Sequence, residues 1–141
     1  MQPALLDTSV FIAGLRRSDH TVLALRRLSP DTPLWVSAVV LQELYAGAGD
    51  DSRSLIEKLE RDFEGLKRIL VPNLSDWTLA GRVLARLAAK YGYEKIGRGR
   101  LTNDALIAMS AGRSGIRVIT ANERDFRRLA EFCPFQWQVA V

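Results

Sequence analysis

A three-layer α/β/α sandwich with a mostly parallel central sheet is the fold this sequence predicts, and three observations predict it. Short apolar runs of strand length alternate with longer stretches of helical periodicity, the signature of βαβ units whose sheet is covered on both faces. The chain is 141 residues long and 48% hydrophobic, enough for one respectable core. Asp7 closes the first apolar run and is followed at once by Thr8-Ser9-Val10-Phe11-Ile12. A carboxylate is thus placed where a buried strand ends, and ligands of open α/β sheets bind beyond the carboxyl ends of their strands.

The expected strands are Ala4–Leu6, 34–36, 69–71, Arg117–Thr120 and 137–141, the last two carrying the β-branched residues strands prefer. A helix is expected over 37–47, with Ser37 able to cap it. The clearest helix covers 52–68: Leu55, Ile56, Leu59, Phe63 and Leu66 form one stripe, and Glu57/Arg61, Lys58/Asp62 and Glu64/Arg68 pair on the wet side. The next is predicted to start at Ser75 as N-cap and carries Ala80, Val83, Leu84, Leu87, Ala88 and Tyr91 at helical spacing. A helix opened by Asp104 is apolar nearly all round and belongs to the core. No repeat, linker or low-complexity tract interrupts the pattern, so a single domain over 1–141 is expected.

Composition narrows the chemistry. No charged lead precedes the first apolar run and no stretch of about 18 apolar residues occurs, so a soluble cytoplasmic protein without membrane segments is expected. Cys133 is the only cysteine and His20 the only histidine, which excludes an internal disulfide and a Cys/His zinc site within one chain. Any metal must rest on oxygen ligands. Net charge is +4 and the pI about 9.6. Set Asp7, Glu43, Asp104 and Asp125 aside as a buried group, and of the 16 acids 12 remain against 20 Lys and Arg, a surface suited to a polyanion.

Each of those acids also has a structural explanation. Glu43 falls on the apolar face of its helix beside Val39, Val40 and Leu44, so it must be paired, protonated or metal-bound, and a buried arginine would suffice. Asp104 could simply favour the dipole of the helix it opens, by about 0.3 to 1 kcal/mol. Asn122 and Asp125 have the spacing of a capping box. Four carboxylates at one sheet edge would raise one another's pKa unless a cation neutralised them, and without His or Cys that cation is Mg²⁺ or Mn²⁺. Such an ion beside arginines suits phosphodiester cleavage. In the loop Gly97-Arg98-Gly99-Arg100-Leu101 leading to Asp104, Arg98 and Arg100 are candidates for phosphate contacts, or simply a solvated turn.

Four motifs in order, Leu5-Leu6-Asp7-Thr8-Ser9-Val10-Phe11-Ile12, Ser37-Ala38-Val39-Val40-Leu41-Gln42-Glu43-Leu44, Leu101-Thr102-Asn103-Asp104-Ala105-Leu106-Ile107-Ala108 and Thr120-Ala121-Asn122-Glu123-Arg124-Asp125-Phe126, resemble those of PIN-domain ribonucleases, specifically VapC-type toxins of VapBC toxin–antitoxin pairs. The resemblance implies a metal-dependent endoribonuclease acting on structured RNA such as tRNA or rRNA and leaving a 5′-phosphate and a 3′-hydroxyl. It also implies a small VapB-like antitoxin that occludes the site, and a homodimer. Asp7, Glu43 and Asp104 match the family's three core metal-binding acids. The fourth position matches Asp125, or Asn122, which could ligate through its amide oxygen. Thr8, Ser9 and Thr120 match hydroxyl positions that would hydrogen-bond the carboxylates or the metal's waters. Phe11, Leu15, Leu23 and Leu28, among Arg16, Arg17, Arg26 and Arg27, could form the antitoxin's groove or pack the core.

Rival classes fit less well. An aspartyl phosphatase would need a second acid where Ser9 stands. A receiver domain would need its acceptor Asp at the end of a middle strand and a lysine near a late one, and neither follows 69–71 or Arg117–Thr120. The remaining alternative is a non-catalytic RNA-binding or scaffolding module, for which retaining every acid would be a disadvantage.

Overall fold

In a computed structural model of the chain, residues 2–17, 31–92 and 99–140 are described, without the side chains of 13–17 and 99–100. The elements in order are β1 (Ala4–Leu6), α1 (Thr8–Arg17), β2 (Leu34–Ser37), α2 (Ala38–Gly47), α3 (Asp50–Gly65), β3 (Ile69–Leu70), α4 (Leu74–Tyr91), α5 (Gly99–Ser114), β4 (Arg117–Thr120), α6 (Glu123–Ala130) and β5 (Trp137–Val139). All four strand pairings are parallel, in the order β3-β2-β1-β4-β5. This is the predicted sandwich, with β1 at its centre.

Ala4, Leu5 and Leu6 are almost wholly buried, because β1 is flanked on both sides: Leu5 stands beside Trp35 of β2 and Val118 of β4. From β1 the chain winds outward through β2 to β3, then returns to β4 and continues outward to β5. The strand order therefore reverses between β1 and β4, the place where open α/β sheets form a crevice. Asp7 and Thr120 lie at that crevice, one strand end each.

Several boundaries differ from the sequence-based expectation, each for a local reason. β3 and β5 are shorter than expected, stopping at Leu70 and Val139, as their pairing with the sheet ends there. α3 runs over Asp50–Gly65 and buries only Ile56 and Phe63; Leu55 and Leu66 of the expected stripe are 50% and 44% exposed. This helix packs chiefly on α2 and needs only a narrow apolar seam. α4 is capped by Asn73, not Ser75. The Asn73 side chain accepts the Asp76 amide at 3.0 Å, Asp76 accepts the Asn73 amide at 2.9 Å, and the Ser75 hydroxyl donates to the same Asn73 side-chain oxygen, Oδ1. α5 starts at Gly99, so Asp104 sits in its second turn and is not a helix-end residue.

α5 is the core helix, buried from Asp104 through Ala111. Two contacts fix its far end. A side chain at Gly112 would meet the Cβ of Phe135 at 3.2 Å, so glycine lets the helix approach the 134–135 segment closely. Arg113 forms a forked ion pair with Asp76 of α4, Nε lying 3.0 and 2.9 Å from the two carboxylate oxygens. The Asp76 side chain is 3% exposed and that of Arg113 39%, so the two partners are unequally replaceable. Removing Arg113 strands a buried charge; removing the Asp76 charge leaves a guanidinium that water can reach. We expect Arg113→Met to lower unfolding free energy by about 3 kcal/mol and Asp76→Asn, which keeps the shape of the cap, by about 1 to 2 kcal/mol, in urea titrations.

Candidate active site

Asp7 follows β1 at the sheet end and is 2% exposed. Ser9 donates to its Oδ1 and Thr120 to its Oδ2, each at 2.5 Å, and the Val10 amide approaches Oδ1 at 3.4 Å. The backbone reinforces the same junction, the Asp7 amide donating to the Ile119 carbonyl at 3.0 Å. Burial is the largest influence on the carboxyl and pushes its pKa above the ordinary carboxylate value, although every one of these donors pulls the other way. Among the described residues, an ionised Asp7 is therefore short of positive charge.

The other acids join Asp7 through a chain of short contacts. Thr8, the next residue, donates to Glu43 Oε1 of α2 at 2.6 Å. Val39, Val40, Leu41 and Leu44 are buried and seat α2 in the core, Ser37 caps it by accepting the Val39 amide, and Tyr45 ties it to Glu60 of α3 at 2.6 Å. That bond pushes the Tyr45 pKa up to about 12. Glu43 itself is half-buried, and among the described residues no Lys or Arg pairs with it. An ion pair within those residues is therefore not its explanation. Beside Glu43, an open cavity of about 330 Å³ is lined mostly by apolar or small groups, among them Ile12, Leu44, Ala48 and Ile56.

On the other side of Asp7, Thr120 accepts the Asn122 amide at 2.9 Å while donating to Asp7. The Asn122 side chain then spans two acids, its Nδ2 donating to Asp125 Oδ2 at 2.8 Å and approaching Asp104 Oδ2 at 3.2 Å. Asp104 is 5% exposed and the Asp125 side chain 17%. Asn122 occupies the N-cap position of α6, yet its side chain makes no bond to the helix backbone. The capping box expected at Asn122 and Asp125 does not form, and Asp104 lies too far inside α5 to serve its terminus. Asn122 meanwhile presents its amide nitrogen, not its oxygen, to the carboxylates.

Asp7, Ser9, Thr120, Asn122, Asp104 and Asp125 thus lie in one hydrogen-bonded network at one end of the sheet, with the Thr8–Glu43 pair joined to it through the chain at Asp7. Among the described residues no three acidic, His or Cys side chains are drawn together as in a loaded metal centre; the acids are linked through hydroxyls and an amide instead. The donor set nevertheless fits a hard cation. It is all oxygen, and it includes a buried carboxylate that no Lys or Arg among the described residues pairs with. Of the arginines, Arg98 lies outside the described residues, and Arg100 is in the first turn of α5 with its side chain outside them. Phe11 is buried in the core; the remaining groove candidates from Leu15 to Leu28 lie outside the described side chains. Sequence reasoning missed Arg124, whose Nε is 3.5 Å from Asp125 Oδ1; its position next to that acid was the available signal.

The PIN domain family model matches residues 4–132, from β1 through α6. The chain belongs to the PIN domain family. The match spans every acid of the network. Solved structures similar to this PIN domain include the DNA-bound VapBC of Salmonella typhimurium, 23% identical with a TM-score of 0.71 over 99% of this chain and 98% of that one. VapBC2 of Rickettsia felis bound to a promoter DNA fragment is 20% identical, TM-score 0.67, covering 98% of both chains. VapBC-1 from nontypeable Haemophilus influenzae is 26% identical, TM-score 0.61, covering 96% of both. No curated protein matches this chain.

The raised Asp7 pKa has a definite sign. The folded state holds its proton to higher pH than the unfolded state, so stability falls as pH rises from the unfolded pKa through the folded one. Asp7→Asn should therefore raise the melting temperature at neutral pH in EDTA, with the gain vanishing in acid below the ordinary Asp pKa; calorimetry across that pH range measures it.

Proposed function

We propose that this PIN domain is a divalent-metal-dependent endoribonuclease, the toxin of a two-protein toxin–antitoxin pair, acting on structured RNA in the cytoplasm. The observation that carries the reading is the gathering of four acids at the sheet's switch point: Asp7 after β1, Asp104 of α5 and Asp125 of α6 share one hydrogen-bonded network, and Glu43 of α2 is held by Thr8, the residue next to Asp7. Asp7, Glu43 and Asp104 would hold Mg²⁺ or Mn²⁺, with Asp125 completing the set and Asn122 positioning Asp104 and Asp125. When bound, the ion polarises the scissile phosphate and makes water a usable nucleophile.

The chain's own groups do the rest. Ser9 and Thr120 fix both oxygens of Asp7, so its carboxylate cannot turn away from the site. Thr8 sets the direction of Glu43, and Asn122 holds Asp104 and Asp125 at a common separation. Arg124, exposed beside Asp125, is placed to meet the phosphate of an incoming strand. The apolar cavity next to Glu43 gives an antitoxin segment a place to bind alongside the acids, consistent with the VapBC complexes among similar structures. A homodimer and a VapB-like antitoxin are parts of the same proposal. The described residues contain no helix long and apolar enough to cross a membrane.

The purified chain incubated with total cellular RNA should cleave it at discrete positions in Mg²⁺ or Mn²⁺ and not in EDTA, leaving 5′-phosphates, and Asp7→Asn and Asp104→Asn should abolish cleavage. Metal-independent cleavage, or none, would return the chain to a binding or scaffolding role. Thr120→Val, which removes the hydroxyl from Asp7 but leaves every acid, should lower metal affinity or activity about 10- to 100-fold, read as the Mg²⁺ concentration giving half-maximal rate.

A further inference from the structure

We propose that the exposed face of α6, with Tyr91 of α4 against it, is the track along which the phosphate backbone of the RNA runs away from the carboxylates; this rests on the nuclease reading and adds to it where the strand lies. Phe126 and Leu129 point α6 into the core. At 100° per residue, Arg124 and Arg128 then form a single i, i+4 row on the solvent side, and Asp125 falls between that row and the buried face. The row begins at the site and leads away from it. An open cavity of about 350 Å³ follows the same path, lined by Tyr91, Glu123, Arg124, Arg127, Arg128 and Glu131.

The charges within that cavity are unequally available. Glu123 is ion-paired with Arg127, and Glu131 accepts from both Lys90 at 2.8 Å and the Tyr91 hydroxyl at 2.6 Å. Both acids are thereby engaged. Arg124 is 76% exposed, and its acid contact is Asp125 of the site itself. Arg128 lies with its guanidinium 4.2 Å from the centre of the Tyr91 ring, a cation–π contact that holds the group over the ring before any ligand arrives. Two guanidinium groups one helical turn apart can each take a phosphate in bidentate fashion. The row's start at Asp125 favours a strand already held by the acids over an acidic protein segment, which would have no reason to begin there.

The test uses the full chain carrying Asp7→Asn, with fluorescently labelled poly(U) in Mg²⁺, read by anisotropy from about 50 to 200 mM salt. Adding Arg124→Gln and Arg128→Gln should weaken binding tenfold or more at the low end and reduce the slope of log affinity against log salt by about 1.4, or about 0.7 for each lost phosphate contact. Arg82→Gln with Arg86→Gln removes the same charge at the same spacing on the exposed side of α4 and should leave that slope unchanged. Arg124→Lys with Arg128→Lys should keep the slope while losing part of the affinity, since lysine keeps charge but not the fork. Equal effects of the α4 and α6 glutamine pairs would overturn the track in favour of diffuse charge. Displacement of poly(U) by polyglutamate as readily as by unlabelled poly(U) would overturn it in favour of an acidic protein partner. If the chain with Asp7 restored cleaves RNA while the α6 variant binds normally, the track fails and the nuclease stands; if it neither binds nor cleaves, both fall.

Discussion

Thr120 and Ser9 reach the Asp7 carboxylate at opposite oxygens, and their hydroxyls replace the water that burial at the middle of a parallel sheet takes away. The arrangement has two physical consequences. It locks β1 to β4 by a side-chain link in addition to the strand ladder, at the point where the sheet's winding reverses. It also leaves a carboxylate whose ionised form is met, among the described residues, by dipoles alone, and so attracts positive charge into the crevice. The other acids are oriented around that deficit: Glu43 through Thr8, and Asp104 and Asp125 through Asn122, which hangs from the same Thr120 hydroxyl.

Orientation at this end depends on packing at some distance from it. α5 delivers Asp104 from its second turn, while its last turn is clamped by Asp76 and pressed against Phe135 through Gly112. α2 delivers Glu43 and is tied outward to α3 through Tyr45 and Glu60. These ties lie away from the acids and hold the helices that carry them, so the site rests on regular elements whose positions are separately determined.

Much of this was legible in the residues. Alternating apolar runs and helical stripes predicted the sandwich, and Asp7, Glu43 and Asp104 stood out because a carboxylate on an apolar face or at a strand end calls for an explanation. The misreadings arose where a local signal had two meanings. Ser75 and Asn73 are both good caps, and only the reciprocal bond to Asp76 decides between them. Asn122 and Asp125 have capping-box spacing, but their side chains turn to each other and to Asp104, because a partner 18 residues upstream competes for the same amide. The exposure of Leu55 and Leu66 could not be read from periodicity, since a stripe does not say how much of itself a neighbour will cover. The Asp76–Arg113 clamp escaped notice because 37 residues separate its halves.

Separation along the chain matters most at the centre of the sheet. Asp7 directly follows the first strand and Thr120 ends the fourth, 113 residues later, and Leu5 pairs with Val118 across the same gap. During synthesis β1 is made early and must wait for β4 before its second neighbour exists, while Asn122 and Asp125 follow later still. A growing chain therefore carries Asp7 and Glu43 long before it can enclose them, and the crevice first takes shape when β4 and the start of α6 have emerged. Partial translation products stopped before that point lack the complete network, so assembly of the site is timed by the sheet's winding order.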